Sequence, residues 1–181
     1  MTFNELITKR QSVRKYSNQA VEKEKLVQCL EAMRLAPSAS NAQPWSFVVL
    51  DEKEIREKVA KETVGPLGSF NKFVADAPVI LVMVLEKQGV LTEMGGRLKQ
   101  KDYPLIDIGI AAEHFCLQAT ELGLGTCMLG WFNEQKIKEM LQIPSQKSIG
   151  LIMTLGYAPE GYLLRKKIRK TQNEIVRFNR Y

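Results

Sequence analysis

The chain of 181 residues is 45% hydrophobic and 25% charged and carries a net charge of +6, which is the composition of a globular protein and not of a disordered one. Its longest apolar run, 77–85, has the length of a strand and falls well short of the roughly 20 residues of a membrane-spanning helix. Residues 1–5 show no basic stretch followed by an apolar one, so no signal peptide is predicted, and we expect one domain over residues 1–181 and a cytoplasmic location.

Helices and strands alternate along the predicted chain. In order, the predicted elements are a helix that begins near Thr2, a helix over 22–36, a strand over 45–50, a helix over 52–63, a strand over 78–85, a helix over 104–122, a strand over 126–131, a helix over 133–141 and a strand over 148–157. The chain beyond Pro159 is predicted to be extended and basic. Leu6 and Ile7 are expected to face inward from the first helix, and the second helix has one apolar stripe formed by Leu26, Val27, Leu30 and Met33.

Three stretches decide the predicted fold class. The run 78–85 does not alternate apolar with polar residues, which predicts a central strand covered on both faces. The helix over 104–122 is apolar around much of its circumference, which is typical of a core or a subunit interface. The stretch 86–103 has mixed charge and is predicted to be a loop or a short lid. We therefore predict an α+β fold in which helices cover both faces of a central mixed β-sheet.

Two arginines and a serine alternate where the first predicted helix ends. Arg10, Ser12 and Arg14 lie on one side of an extended segment, where all three reach the same anion. A guanidinium group binds phosphate through two parallel hydrogen bonds. The segment therefore indicates a phosphate site, and a solvated basic turn is the alternative interpretation.

A loop of small and amide side chains, 37–44, leads directly into the strand over 45–50. Small residues and amides line a flat aromatic ligand and bind its edge without shielding its face. An ordinary polar loop after a proline-terminated helix is the alternative. Together with the arginine segment, this loop suggests a flat ligand that bears a phosphate, and flavin mononucleotide (FMN) fits that description best.

A glycine turn at 123–130 resembles a dinucleotide-binding fingerprint only in part. Its spacing is Gly-x-Gly, four residues and Gly, and it follows a predicted helix and precedes a predicted strand. A Rossmann turn requires the reverse order, strand then helix. We therefore reject the Rossmann interpretation.

Three patterns in this order resemble those of the nitroreductase family of FMN-dependent oxidoreductases: Arg-x-Ser-x-Arg at 10–14, Pro-Ser-x-Ser-x-x-Gln-Pro-Trp at 37–45 and Gly-Leu-Gly at 123–125. The resemblance extends from about Phe3 to the C-terminus. It implies a single nitroreductase-like FMN-binding domain over 1–181 with the three-layer sandwich of that family. It also implies NAD(P)H as electron donor and a homodimer with FMN at the subunit interface.

The resemblance further implies which residues bind FMN. In the family, the arginine segment contacts the phosphate, the ribityl chain and the pyrimidine edge, and the polar loop of the partner subunit covers one face of the ring. The backbone after the glycine turn approaches the reactive N5, and a basic pair near the C-terminus returns to the phosphate. Carried over to this chain, the implied FMN-binding residues are Arg10, Gln11, Ser12, Arg14, Pro37, Ser38, Ala39, Ser40, Asn41, Gln43, Leu129, Gly130, Lys167 and Arg169.

This chain departs from the family pattern at three positions. Gln11 stands where many relatives carry a second basic residue, Ala39 where relatives often have serine, and Thr171 where they usually have proline. The basic cluster at 165–170 also has two other interpretations, a solvated tail and a nucleic-acid surface. No aromatic-studded basic strand or recognition helix accompanies it, which counts against nucleic acid.

No side chain stands out as a catalyst. The three cysteines, Cys29, Cys116 and Cys127, are far apart and match no zinc or disulfide spacing, and His114 lies in an apolar helix. A cofactor must therefore supply the chemistry, so we predict no catalytic side chain and no metal site. The resulting hypothesis is ping-pong transfer from NAD(P)H to nitroaromatic, quinone or similar small acceptors. A reductive dehalogenase, another dedicated dehydrogenase and a non-catalytic flavin-binding sensor remain the alternatives.

Overall fold

The computed structural model describes residues 1–68, 70–87 and 101–181. Its elements are α1 (Phe3–Lys9), α2 (Lys23–Arg34), β1 (Trp45–Leu50), α3 (Lys53–Lys61), β2 (Val79–Leu85), α4 (Tyr103–Glu121), β3 (Gly125–Leu129), α5 (Glu134–Met140), β4 (Ser148–Gly156) and α6 (Gln172–Ile175), with 3-10 turns at Ala39–Asn41, Pro66–Gly68 and Lys72–Asp76. Every helix and strand predicted from the sequence is present, and α6 is an addition. Most of the predicted loop or lid, residues 88–100, lies outside the described residues.

The strands form one sheet in the order β1-β2-β4-β3, and all three neighbouring pairs are antiparallel. Parallel pairing is confined, in the described ranges, to an isolated bridge between Ser12 and Thr126 at the β3 edge. The predicted central position of β2 is confirmed, because β2 lies between β1 and β4. The sheet is therefore mixed only at the edge where the arginine segment joins it.

The two faces of β2 belong to different apolar clusters. Val79, Leu81 and Met83 face α2 and α4, while the alternate residues Ile80, Val82 and Val84 face α3 and α5. Both sets are almost completely buried. This double burial explains why the strand shows no polar alternation in the sequence. Helices thus cover both faces of the sheet, which gives the predicted three layers.

The prediction that the first helix carries its apolar residues inward was wrong for Ile7, which is 40% exposed on α1. The apolar stripe predicted on α2 is only partly buried, because Val27 is 54% exposed. Leu26 and Met33, in contrast, are buried as expected. Apolar periodicity identifies the apolar face of a helix. It does not tell whether that face packs in the core or is exposed on the surface of a single chain. Of the helices in the described ranges, none has the length and apolarity to cross a membrane.

Candidate functional site

The arginine segment, residues 10–14, runs beside the edge strand β3. The Val13 N–H donates a hydrogen bond of 2.8 Å to the Thr126 carbonyl. A Cβ at Gly125 would lie only 2.5 Å from a methyl group of Val13, so glycine is needed for this close approach. The buried Tyr16 hydroxyl donates to the Val13 carbonyl at 3.1 Å. The segment is therefore held against the protein core and not left as a solvated turn.

The polar groups of this segment point in several directions. Arg10 Nε lies 3.2 Å from Glu113 Oε1 on α4, which is an ion pair. The same Nε is buried and lacks a hydrogen-bond partner among the described residues, because the approach of Glu113 does not have hydrogen-bond geometry. Arg14 is exposed, and its N–H donates to the Tyr162 hydroxyl at 3.0 Å. The segment thus carries two guanidinium groups, and one carboxylate, that of Glu113, lies beside the first of them.

The C-terminal segment, residues 162–167, packs along the arginine segment. Gln11 Nε2 donates to the Leu163 carbonyl at 3.3 Å, and the Arg165 N–H donates to Gln11 Oε1 at 3.1 Å. The Arg165 guanidinium also donates to the Ser12 carbonyl. The predicted Lys167 reaches this place as well, since its ammonium donates to the carbonyl of Arg10.

Arg169, the other predicted member of the basic pair, is exposed and donates to the neighbouring Ile168 carbonyl at 2.8 Å. Sequence reasoning missed Arg165, which occupies the place beside Ser12. A signal for it existed: residues 165, 167 and 169 are all basic and alternate along an extended chain, so they share one side.

Positive charge accumulates where the two segments meet. Partial burial lowers the pKa of Lys167, and the charges of Arg10 and Arg169 lower it further, against the opposing effect of Glu113. Burial raises the pKa of the Cys127 thiol, while Arg14 and the Ser12 hydroxyl act to lower it. These directions show crowded cations that an anion would relieve.

The polar loop, residues 37–43, is anchored to α4 by a buried carboxylate. The Ala39 N–H donates to both oxygens of Asp107, at 3.1 and 3.2 Å, and Asp107 is only 3% exposed. Within the loop, the Gln43 N–H donates to Ser38 Oγ at 2.9 Å, and Gln43 Nε2 donates to Asn41 Oδ1 at 3.2 Å.

The backbone of this loop is unusual. Three of its non-glycine residues have left-handed φ values: 52° at Ser40, 53° at Asn41 and 45° at Gln43. Such conformations typically persist only where the surroundings hold them, and they cluster at ligand sites. The positions whose side chains are exposed are Pro37, Ser40, Asn41 and Gln43, with Ser38 and Ala39 half-buried.

One chain does not bring the loop and the arginine segment together. The loop is attached to α4 at Asp107 and the arginine segment at Glu113, six residues later. In an α-helix this separation corresponds to about 9 Å along the axis and about 120° around it. No hydrogen bond or ion pair joins the loop to the arginine segment within the described ranges. The two halves of the predicted site therefore face different directions.

The remaining predicted residues end strand β3. The Leu129 side chain is 4% exposed and packs in the core, so only its backbone is available to a ligand. Gly130 is exposed, and a Cβ built there would have no neighbour within 4 Å among the described atoms. The space beside Gly130 is open, as a flat ligand near this backbone requires.

A family model described as the nitroreductase family matches residues 7–157. The chain belongs to the nitroreductase family. An FMN-dependent nitroreductase of Clostridium difficile R20291 has a similar structure, with a TM-score of 0.77 and 31% identity, over 97% of this chain and 98% of that one. An NADH dehydrogenase of Thermus thermophilus is 27% identical over 85% of this chain and 86% of its own length. An iodotyrosine deiodinase of Thermotoga neapolitana is 24% identical over 98% and 97%.

The nitroreductase fold predicted from the sequence is therefore confirmed. In this nitroreductase, the surroundings of two cysteines and of the histidine indicate structural roles. Burial raises the pKa of the Cys29 and Cys116 thiols to about 12, which keeps both protonated and unreactive at neutral pH. His114 Nδ1 lies 3.2 Å from the Ala32 carbonyl and ties α4 to α2.

We expect Asp107→Leu to destabilise the protein by about 1–3 kcal/mol, because the Ala39 N–H then loses its acceptor. Asp107→Asn is the matched control, since its amide oxygen still accepts that bond. The measurement is the free energy of unfolding by urea denaturation. An Asp107→Leu protein as stable as Asp107→Asn would show that the loop does not depend on this anchor.

Proposed function

We propose that the chain is an FMN-dependent oxidoreductase that transfers hydride or electrons from NAD(P)H to nitroaromatic, quinone or similar small acceptors. The observation that carries this proposal is the set of hydrogen-bond donors around the arginine segment. Ser12, Arg14 and Lys167 offer hydroxyl, guanidinium and ammonium groups within one small region. Such a set fits a dianionic phosphate better than any neutral or cationic ligand.

Two observations on the chain itself fit the FMN phosphate. Arg10 Nε is buried and lacks a hydrogen-bond partner in the part of the chain that the structure describes. Burial lowers the pKa of Lys167, and neighbouring positive charge, which a phosphate would neutralise, lowers it further. One carboxylate, that of Glu113, lies near both groups, and a phosphate would add the negative charge that balances the remaining cations.

Each predicted residue then has a proposed role. The residues that would hold the phosphate and its ribityl chain are Arg10, Ser12, Arg14, Lys167 and Arg169, and Gln11 would support them through its hydrogen bonds to the C-terminal segment. The loop residues that would cover the ring are Pro37, Ser38, Ala39, Ser40, Asn41 and Gln43. The backbone at Leu129 and Gly130 would run beside the ring, because no side chain at Gly130 prevents that approach.

Bound FMN would supply the hydride and electron transfer that the side chains of this site cannot. The protein would position the cofactor and leave room beside it for the donor and the acceptor. The open space beside Gly130 serves donor and acceptor in turn, which favours ping-pong kinetics.

A homodimer completes the proposed site. The two halves attach to α4 in directions about 120° apart, so a second copy must bring its polar loop to the first copy's arginine segment. Helices α1, α2 and α4 together present an apolar, exposed face. Its large exposed residues are Phe3, Ile7, Val27, Leu35, Leu105 and Ile106 on α1, α2 and α4 and just beyond α2. A groove of about 620 Å³ lies on this face between α2 and α4. Exposed apolar surface of this kind is typical of a subunit interface.

The direct test of the proposed function is the visible absorption spectrum of the purified protein, repeated after anaerobic addition of NADH and then of NADPH. We expect a flavin band that one or both donors bleach. A flavin band that neither donor bleaches would favour a flavin-binding sensor. Absence of the band after incubation with excess FMN would contradict the proposal.

Arg14→Ala should weaken FMN binding roughly ten- to a hundredfold, the effect of losing a charge-assisted hydrogen bond. Lys15→Ala is the matched control, because it removes the same charge from the adjacent exposed residue. The measurement is the FMN dissociation constant of the apoprotein by fluorescence quenching. Equal weakening in both variants would mean that only net charge matters.

Ile106→Glu should convert the dimer to a monomer, because it places a charge in the proposed apolar interface. The control is Leu67→Glu, which introduces the same charge at a fully exposed residue of the 3-10 turn Pro66–Gly68, away from α4 in the sequence. Sedimentation equilibrium measures the mass, and a titration with FMN measures retention of the site. A monomeric Ile106→Glu protein that binds FMN as tightly as the wild type would contradict the shared site.

A reductive dehalogenase is the second candidate, and the similarity to iodotyrosine deiodinase favours it. Release of iodide from iodotyrosine by the reduced protein, assayed beside nitroaromatic and quinone reduction, separates the two activities. Rapid deiodination with slow reduction of the other acceptors would support this candidate over the first.

A further inference from the structure

Gln11 uses both ends of its side-chain amide on the C-terminal segment. Nε2 donates to the Leu163 carbonyl at 3.3 Å, and Oε1 accepts from the Arg165 N–H at 3.1 Å. Oε1 also lies 3.5 Å from the Arg165 Nε, which donates to it. The amide therefore binds two residues of an extended chain in the manner of a neighbouring strand. Little of its hydrogen-bonding capacity is left for a ligand.

The Arg165 guanidinium is fixed along one edge. Its Nε donates to Gln11 Oε1, and its Nη2 donates to the Ser12 carbonyl. A guanidinium has five N–H groups in a rigid plane, and these bonds use two of them. The orientation of the plane is thus set by the arginine segment itself, and the other three N–H groups have no acceptor among the described residues.

Arg165 lies beside the groups assigned to the phosphate. Burial raises the pKa of the Cys127 thiol, and the charges of both Arg14 and Arg165 act to lower it, as does the Ser12 hydroxyl. The geometry places Arg165 on the same segment, since its guanidinium donates to the Ser12 carbonyl, and Lys167, two residues later, donates to the Arg10 carbonyl. Arg169 differs from Arg165 in its partner, because its guanidinium binds the adjacent Ile168 carbonyl and not the arginine segment.

We propose that Arg165 is a further phosphate-binding residue of the FMN site and that Gln11 is the residue that positions it. This inference rests on the proposed function. Gln11 then acts through Arg165 and not through contact with the cofactor, which explains how an uncharged side chain serves at a position flanked by arginines.

The test compares FMN with riboflavin, which has the same ring and no phosphate. Arg165→Gln should raise the FMN dissociation constant about ten- to a hundredfold, the loss of one charge-assisted hydrogen bond. Its riboflavin constant should change less than about twofold, because the ring site is untouched. Lys166→Gln, which removes the same charge from the next exposed residue, is the matched control and should leave both constants nearly unchanged.

The positioning role of Gln11 is tested by a double-mutant cycle. Gln11→Met keeps the size of the side chain and removes both hydrogen bonds, and it should weaken FMN binding and spare riboflavin. The double variant Gln11→Met/Arg165→Gln should bind FMN no more weakly than Arg165→Gln alone, because Gln11 acts through Arg165. Arg165→Lys, which keeps the charge, should recover part of the affinity, and thermal unfolding of each apoprotein monitors folding.

Several outcomes would overturn the inference. Equal effects of Arg165→Gln and Lys166→Gln would mean that Arg165 contributes only through its general positive charge and not through a direct contact. Equal losses for FMN and riboflavin would make its role structural. Additive losses in the double variant would mean that Gln11 contacts the cofactor directly. A wild-type protein that binds riboflavin and FMN equally overturns this inference together with the phosphate assignment of the arginine segment, whereas one that binds neither overturns the proposed function itself.

Discussion

The pairing of residues 12–13 with Thr126 is the constraint on which the candidate site depends. It draws the arginine segment onto the edge of β3, and it requires glycine at position 125 because any side chain there would collide with Val13. The Tyr16 hydroxyl holds the same segment from the buried side. Cations at 10 and 14 are thereby presented from a rigid sheet edge, and rigid presentation is what makes a phosphate site selective.

The C-terminal segment completes this arrangement by binding the backbone of the arginine segment. Arg165 and Lys167 donate to the carbonyls of Ser12 and Arg10, so the two basic segments attract each other through hydrogen bonds although their charges repel. Burial lowers the pKa of Lys167, and the charges of Arg10 and Arg169 lower it further, which reflects that repulsion. An anion shared by both segments would reduce the repulsion and strengthen the packing, and it would then couple ligand binding to docking of the C-terminal segment.

The long helix α4 connects the two halves of the candidate site. It holds the polar loop at Asp107 and faces Arg10 with Glu113, and these residues lie on different sides of the helix. The exposed apolar residues of α2 and α4 lie on the two helices that precede the loop and anchor it, whereas those of α1 lie on the helix that leads into the arginine segment. In the proposed dimer, the interface would serve two purposes: it would bury apolar surface, and it would bring a loop held in a strained conformation to the ligand.

Most of what the sequence by itself determined about this protein came from local patterns of residues. The double-sided apolar run 79–85 predicted the central strand, and the alternation of Arg10, Ser12 and Arg14 predicted a shared anion site, because both follow from the two-residue period of an extended chain. Tertiary structure alone decided the contact of Gln11 with Leu163, 152 residues away, and that of Ala39 with Asp107, 68 residues away. It also decided that Val27 faces solvent and that Arg165 occupies the place beside Ser12. Periodicity records which side of an element a residue occupies, whereas the neighbour it meets there depends on how distant segments pack, and no local pattern carries that information.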